Sequence, residues 1–266
     1  MMRQAAQVIL FTIVMLMLGA EIFSPYGYDR QFREEIAAPP SRSHPLGTDD
    51  VGRDRLSRLL HGGRISIVLA PAAALVSISL ALLVALAAVL LGPGAERAAR
   101  GGIDLFLSLP WLFLLLAVRG VLPLNTSPGV SIAVTFGLLG LLGWAGPARV
   151  LMAAARRQIS SDYVLLARAS GSSPWRIAWL HVLPNLAPVT LAQFWTTAPA
   201  FLLAEANLAL LGLGISEPLP SWGNLLRELQ DFNALRHQPW LLVPLLLLVL
   251  ALSCLQFTQE TDEYSV

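Results

Sequence analysis

ISIVLAPAAALVSISLALLVALAAVLL, residues 65–91, carries no charged side chain over its 27 positions. A helix needs about 20 predominantly apolar residues, within a range of about 17–25, to cross the hydrocarbon core of a bilayer. This stretch is long enough to cross at a tilt, or to begin its crossing after Pro71. Five further tracts approach the same standard: 5–23, 104–122, 129–146, 186–211 and 239–257. Pro110, Arg119, Pro123 and several glycines interrupt or bound the third and fourth of the six. The pattern predicts an all-α polytopic integral membrane protein of about six transmembrane helices.

Composition agrees with that reading. The 266 residues are 55% hydrophobic and only 13% charged, with a mean hydropathy of +0.64. Soluble domains carry about 25% charged residues. A net charge of +1 gives no basis for a nucleic-acid partner. The single cysteine, Cys254, excludes a disulfide within the chain.

All 18 basic residues are arginine. Without lysine there is no GxxxxGK[ST] phosphate loop, no Schiff-base lysine and no Ser-Lys dyad. Any ATP must therefore be bound by another chain, and no cofactor is expected in this one. The sequence also lacks HExxH, GxSxG and CxxC, so no catalytic or metal site is predicted.

Arg3 ahead of an apolar run that ends in Gly19-Ala20 has the outline of a signal peptide. The length of the run, and Leu18 where a small residue belongs, favour an uncleaved anchor. Residues 1–64 are read as this helix and a loop outside the bilayer, and 65–266 as a five-helix core. Arginines divide almost evenly between the two sets of loops, so the positive-inside rule leaves orientation open.

Within the core, residues 147–185 form a loop that differs from its neighbours. Ser160-Ser161-Asp162 offers side-chain oxygens to cap a helix starting near Tyr163. Gly171 is placed to end that helix in a left-handed conformation. Ser173-Pro174 reads as N-cap and first position of a second helix. Ile177, Leu180, Trp175 and Trp179 would form its apolar flank, with Arg176 on another face, and Pro184 would stop it. The product is a jointed pair of short helices outside the bilayer. An interfacial helix that only anchors its neighbours explains the Trp and Arg, but not the small residues Ala167, Ala169 and Gly171.

Glu205 lies in the fifth tract, with Asn207 close by. A mid-membrane acid costs about 2.5–3.5 kcal/mol on insertion scales. Either it lines a translocation path or it is buried and paired; pairing is the favoured reading. In 44–58, Asp49, Asp50, Arg53, Asp54 and Arg58 alternate in sign, reading as a self-paired loop or a docking surface. Metal ligation by His44 with Asp49 is a lesser reading. Arg119 is expected to snorkel to the interface, and Trp222 to anchor a loop there.

Taken together, DYVLLARASGSSPWRIAWLHVLPN (162–185), HPLGTDDVGRDRLSRLLHGGRISI (44–67), GWAGPARVL (143–151) and AEANLALLGLGISEPLPSWGNLL (204–226) carry a resemblance. The first resembles the EAA loop of ABC-importer permeases, with Gly171 in the loop's glycine position. The other three are similar to the dipeptide, oligopeptide and nickel branch of that family. The resemblance implies a cytoplasmic coupling helix between spans 4 and 5, a cytoplasmic N-terminus, and residues 24–64 and 212–238 outside. It assigns ATPase contact to 162–181, with Arg168, Gly171, Trp175, Arg176 and His181 as contributors, and leaves Glu205 and Asn207 as candidates for the path.

It also implies a second permease subunit, two ATP-binding subunits holding ATP and Mg, an extracytoplasmic solute-binding protein and a bacterial inner-membrane location. Leu165 and Leu166 stand where the family has glutamate and alanine, which puts an electrostatic contact to the ATPase in doubt. An ion-coupled secondary transporter is the rival reading, short of intramembrane acids. A non-transporting scaffold is the other.

Overall fold

The computed structural model describes residues 2–121 and 126–259. Regular structure among them is helical, with only two isolated antiparallel bridges, Gln31–Arg53 and Thr48–Asp54. In order the helices are α1 Met2–Leu18, α2 Ala20–Phe23, α3 Arg55–Leu90, α4 Pro93–Ser108, α5 Trp111–Val121, α6 Pro128–Leu142 and α7 Ala145–Ile159. There follow α8 Asp162–Ala169, α9 Pro174–Ile177, α10 Leu183–Leu210, α11 Trp222–Leu226, α12 Phe232–His237 and α13 Val243–Gln259.

Four helical runs among the described residues are long and apolar enough to cross a membrane: Arg55–Leu90, Pro128–Ile159, Pro174–Leu210 and Pro239–Phe257. A fifth crossing would be the pair Pro93–Ser108 and Phe113–Val121, which is bent by 79°. The expected first span is the shorter apolar helix Gln4–Leu18. So the polytopic α-helical class holds, with four or five crossings by length where six were expected.

Two prolines explain where the sequence boundaries moved. The tract 104–122 is broken because Pro110 forces Leu109 into extended backbone, φ −87° and ψ 130°. Pro184, by contrast, does not end a helix. Ala178–Val182 form a π-helical turn in which the N–H of Leu183 bonds the carbonyl of Ala178. That wider turn makes room for a proline ring and carries the helix onward, as breaks in the i−4 ladder do elsewhere. The fourth tract also runs on past 146. Residues 147–159, expected in a loop, are helical, because Ala148, Leu151, Met152, Ala154 and Ala155 present a buried stripe.

The chain divides into two compact units. The first comprises Met1–Ala70, Arg119–Phe136 and Pro199–Val266. Its core joins Ile13, Met17 and Ala20 to Leu59, Leu60, Ala206, Trp222, Leu225, Leu226, Leu248 and Ala251. Trp222 is thus a fully buried core residue, not an interfacial anchor. Its indole packs so close to Gly63 that a β-carbon there would lie 2.7 Å from Nε1.

The second unit comprises Pro71–Val118 and Gly137–Ala198. Ala81, Ala85 and Ala88 of α3 pack on Ile103 of α4 and on Ala148, Leu151 and Met152 of α7. Small side chains at this spacing let helices approach closely, which drives packing where lipid is as apolar as leucine. A second cluster joins Ala154 and Ala155 to Val164, Ile177, Val182 and Leu186. That cluster seats the segment on which the sequence placed the coupling role.

Candidate functional site

Within the second unit, residues 162–181 form the predicted jointed pair of helices. Their joint is fully specified by backbone bonds. Ser172 N–H donates to Ala167 O at 3.0 Å and Gly171 N–H to Arg168 O at 2.9 Å, closing α8. Gly171 has φ +81°, the left-handed conformation that this closure requires and that is cheap only for glycine. Ser173 then caps α9, accepting from Arg176 N–H at 3.3 Å.

The N-cap of α8 is different from expectation. Ser161 occupies the cap position, but its hydroxyl donates backward to Gln158 O at 2.5 Å and accepts no helix N–H.

The apolar flank of α9 also divides in two. Ile177, Ala178 and Val182 face inward against α7, α8 and α10. Trp175, Trp179 and Leu180 are exposed, so they do not share the buried face of Ile177. At a helical rotation of about 100° per residue, one side of a short helix cannot hold all of them.

Arg168, Gly171, Trp175 and Arg176 are all exposed. Neither guanidinium has a hydrogen-bond or ion-pair partner among the described residues. His181 is half-buried, its ring 5.9 Å from that of Tyr163. Asn185 ties the two together, donating to His181 O at 2.6 Å and to Tyr163 Oη at 3.3 Å. The His181 side chain thus meets α8 through its ring contact with Tyr163. What the segment offers is a rigidly seated surface with two free cations and two exposed indoles.

In the first unit, Glu205 is buried and separated from Asn207, which is exposed on another face of α10. Trp222 N–H donates to Ser66 Oγ at 3.2 Å, and Ser66 Oγ–H donates to Glu205 Oε2 at 3.3 Å. Oε1 lies against Gly223. Ser66 of α3 thus links α11 to the acid on α10. The carboxylate is therefore buried with one bonded oxygen, Oε2, while Oε1 has no hydrogen-bond partner among the described residues. Ser66 and Gly223 were not singled out in the sequence. A serine inside an apolar run and a Ser-Trp-Gly after two prolines were the available signals.

Arg119 does not snorkel. It is 2% exposed, with Nη2 donating to Ser131 Oγ at 2.9 Å and Nε to Leu213 O at 3.2 Å. Nη2 also lies 3.2 Å from Gly214 O. Those carbonyls belong to the turn that follows α10, whose end is closed by the N–H groups of Gly212 and Leu213. Burying the guanidinium there adds a donor to three acceptors, while its Nη1 has no hydrogen-bond partner among the described residues.

The 44–58 charges pair partly among themselves and partly with Glu35, Glu217 and Glu228. Arg53 Nε donates to Asp49 Oδ2 at 2.7 Å, and Arg58 reaches Glu217 Oε1 at 2.9 Å. Arg55 and Glu228 pair at 2.8 Å, yet burial holds the Glu228 carboxyl above the usual glutamate range. His44 does not join Asp49. Its ring nitrogens lie 2.9 Å from Asp54 Oδ1 and 2.8 Å from Glu35 Oε2. No group of three or more His, Cys, Asp or Glu side chains that could hold a metal ion occurs among the described residues.

These features define a multi-pass helical membrane protein with an exposed, jointed surface element on one unit and a braced polar loop on the other. Residues 77–258 match the family of binding-protein-dependent transport system inner membrane components, and the chain belongs to that family. It is 30% identical over 94% of its length to the di/tripeptide transport system permease protein DppC of Pseudomonas aeruginosa, covering 82% of that relative. It is 31% identical over 95% of its length to the oligopeptide transport system permease protein OppC of Escherichia coli K12, covering 82% of it. With OppC of Bacillus subtilis it shares 29% identity, over 88% of this chain and 74% of the relative. The chain is a permease subunit of an ABC importer, set in the inner membrane and crossing it several times.

Proposed function

We propose that this permease carries peptides or chemically related small solutes, as the names of its relatives suggest, and that it forms half of the translocation path. A second permease subunit supplies the other half. Two ATP-binding subunits hold ATP and Mg at the cytoplasmic face, and an extracytoplasmic binding protein delivers the solute. The N-terminus is cytoplasmic in this scheme. This chain contributes no catalysis; its part is mechanical.

The supporting observation is the α8–Gly171–α9 joint. It is exposed on its outer face, locked by two backbone bonds at the bend, and seated on α7 and α10 through Val164, Ile177, Val182 and Leu186. A force applied to Trp175 and Arg176 passes into a continuous helical run, Pro174–Leu210, that is long enough to span. Rigid motion of packed helices is the usual means of switching between two access states. Leu165, in the position of the family's glutamate, is half exposed, so contact there is apolar.

Deleting 165–180 should release the ATPase subunits from membranes. Because a deletion can unfold the chain, Arg176→Glu provides the companion test. It should leave expression and melting unchanged while lowering ATP-dependent uptake in vesicles at least tenfold. Full uptake by this variant, or uptake that survives ATP depletion and collapses with the proton gradient, overturns the scheme.

A further inference from the structure

An apolar groove of about 730 Å³ runs along the second unit between α3 and the α9–α10 junction. Its walls are Leu82, Leu83, Leu86 and Leu90 on one side, with Trp175 and Trp179 on the other. At Leu90 and Pro174 it meets a second, polar pocket of about 520 Å³ that Arg168 lines. The acid on that polar wall, Glu96, is already engaged by Arg100 and Arg156. Arg168 has no such partner among the described residues. The combined cavity is therefore amphiphilic: oily along most of its length and cationic at one end.

We propose that this cavity binds one anionic phospholipid, its acyl chain along the leucines of α3 and its phosphate at Arg168. An acyl chain passes from one apolar surrounding to another on entering the groove, so the leucines hold it by packing and select no headgroup. Selection falls to the guanidinium, which presents a planar donor fork to phosphate oxygens. Paired tryptophans suit the boundary between acyl chains and headgroups, where one edge of the ring is dry and the other wet. A protein partner would be expected to offer an acid to Arg168 and a flat apolar face to the indoles. The depth and one-ended charge of the groove fit a lipid better. The site lies directly beneath the coupling joint, so an occupying lipid would stiffen the seat of α9. The inference rests on the proposed function only for placing the groove at the inner leaflet.

The test uses the full chain in nanodiscs of phosphatidylcholine containing phosphatidylglycerol, extracted into detergent and weighed by native mass spectrometry. Wild type should retain one phosphatidylglycerol in preference to phosphatidylcholine. Arg168→Gln should lower that preference about fivefold, the effect of one basic residue near an anionic surface. Leu83→Trp, at an exposed position that tolerates bulk, should reduce retention of both lipids. Equal retention of the two lipids by wild type overturns the proposal, as does a preference that neither variant changes. Displacement of the lipid by added ATPase subunits would show that a protein covers the groove, and also overturns it. The measurement needs neither ATP nor solute, so its failure is separable from failure of the transport scheme.

Discussion

Glu205 on α10 and Gly223 on α11 stand so close that a β-carbon on residue 223 would lie 2.8 Å from Glu205 Oε1. The same β-carbon would meet Ala209 Cβ at 2.7 Å and Ala206 Cα at 2.9 Å. Backbone cannot yield as a flexible side chain does. Gly223→Ala should therefore destabilise the first unit by about 1–3 kcal/mol, the usual range for overpacking. A melting curve in detergent checks this; an unshifted midpoint would mean that α11 moves freely from α10.

Glu205→Gln separates the two roles that the sequence allowed for this acid. The amide keeps an oxygen to accept from Ser66, so assembly and melting should be retained within about 1 kcal/mol. If the acid only ties α10 to α11 through Ser66, uptake should also be retained. A loss of transport with normal assembly would assign it to the path instead.

Gly171 should tolerate no branched side chain. A left-handed residue with a β-carbon costs about 1–2 kcal/mol, and more when branched. Gly171→Val should loosen the α8–α9 joint and lower ATP-driven uptake, while Gly171→Asn should fall between. Hydrogen exchange at Ser172 and Gly171, whose amides close α8, reports the loosening directly.

Arg119 holds Leu213 O, Gly214 O and Ser131 Oγ at once. Arg119→Leu removes all three of these bonds, and hydrogen bonds to a charged group contribute about 1.5–3 kcal/mol each. The variant should melt earlier than wild type and expose the 211–216 turn to proteolysis. Arg119→Lys should rescue only part of the loss, because an ammonium cannot reproduce the fork.

Glu228 supplies a pH dependence. Burial raises its carboxyl above the ordinary value of 4.5, and the pairing with Arg55 offsets only part of that. The folded protein thus holds this proton more tightly than the unfolded chain. Stability is greatest below the unfolded value and falls as pH rises through the folded one, levelling above it. Melting midpoints measured across that window should decline, and Glu228→Gln should flatten the decline.

The α8–Gly171–α9 joint was largely legible, because its determinants are local. Gly171 and Ser173 act within three or four residues of themselves, and turn chemistry at that range leaves a mark in the sequence. The capping role of Ser161 was misread, since its hydroxyl finds Gln158 O, which competes on equal terms. The fate of the prolines was not legible either. Pro110 breaks a helix and Pro184 does not, and the difference is a π turn supported by the buried Val182.

By itself the sequence determined the class: apolar tracts near bilayer length, all-arginine basic residues, no catalytic motif, and a punctuated segment between two spans. These follow from hydrophobicity and local backbone preference, which act residue by residue. Only the tertiary structure decided the partners of Arg119, Glu205, His44 and Trp222. Each is buried against groups from 10 to 139 or more positions away, as in His44–Asp54 and Ser66–Glu205. A buried polar or aromatic side chain takes whichever neighbour the packed helices bring to it, and that neighbour is fixed by packing across the whole fold.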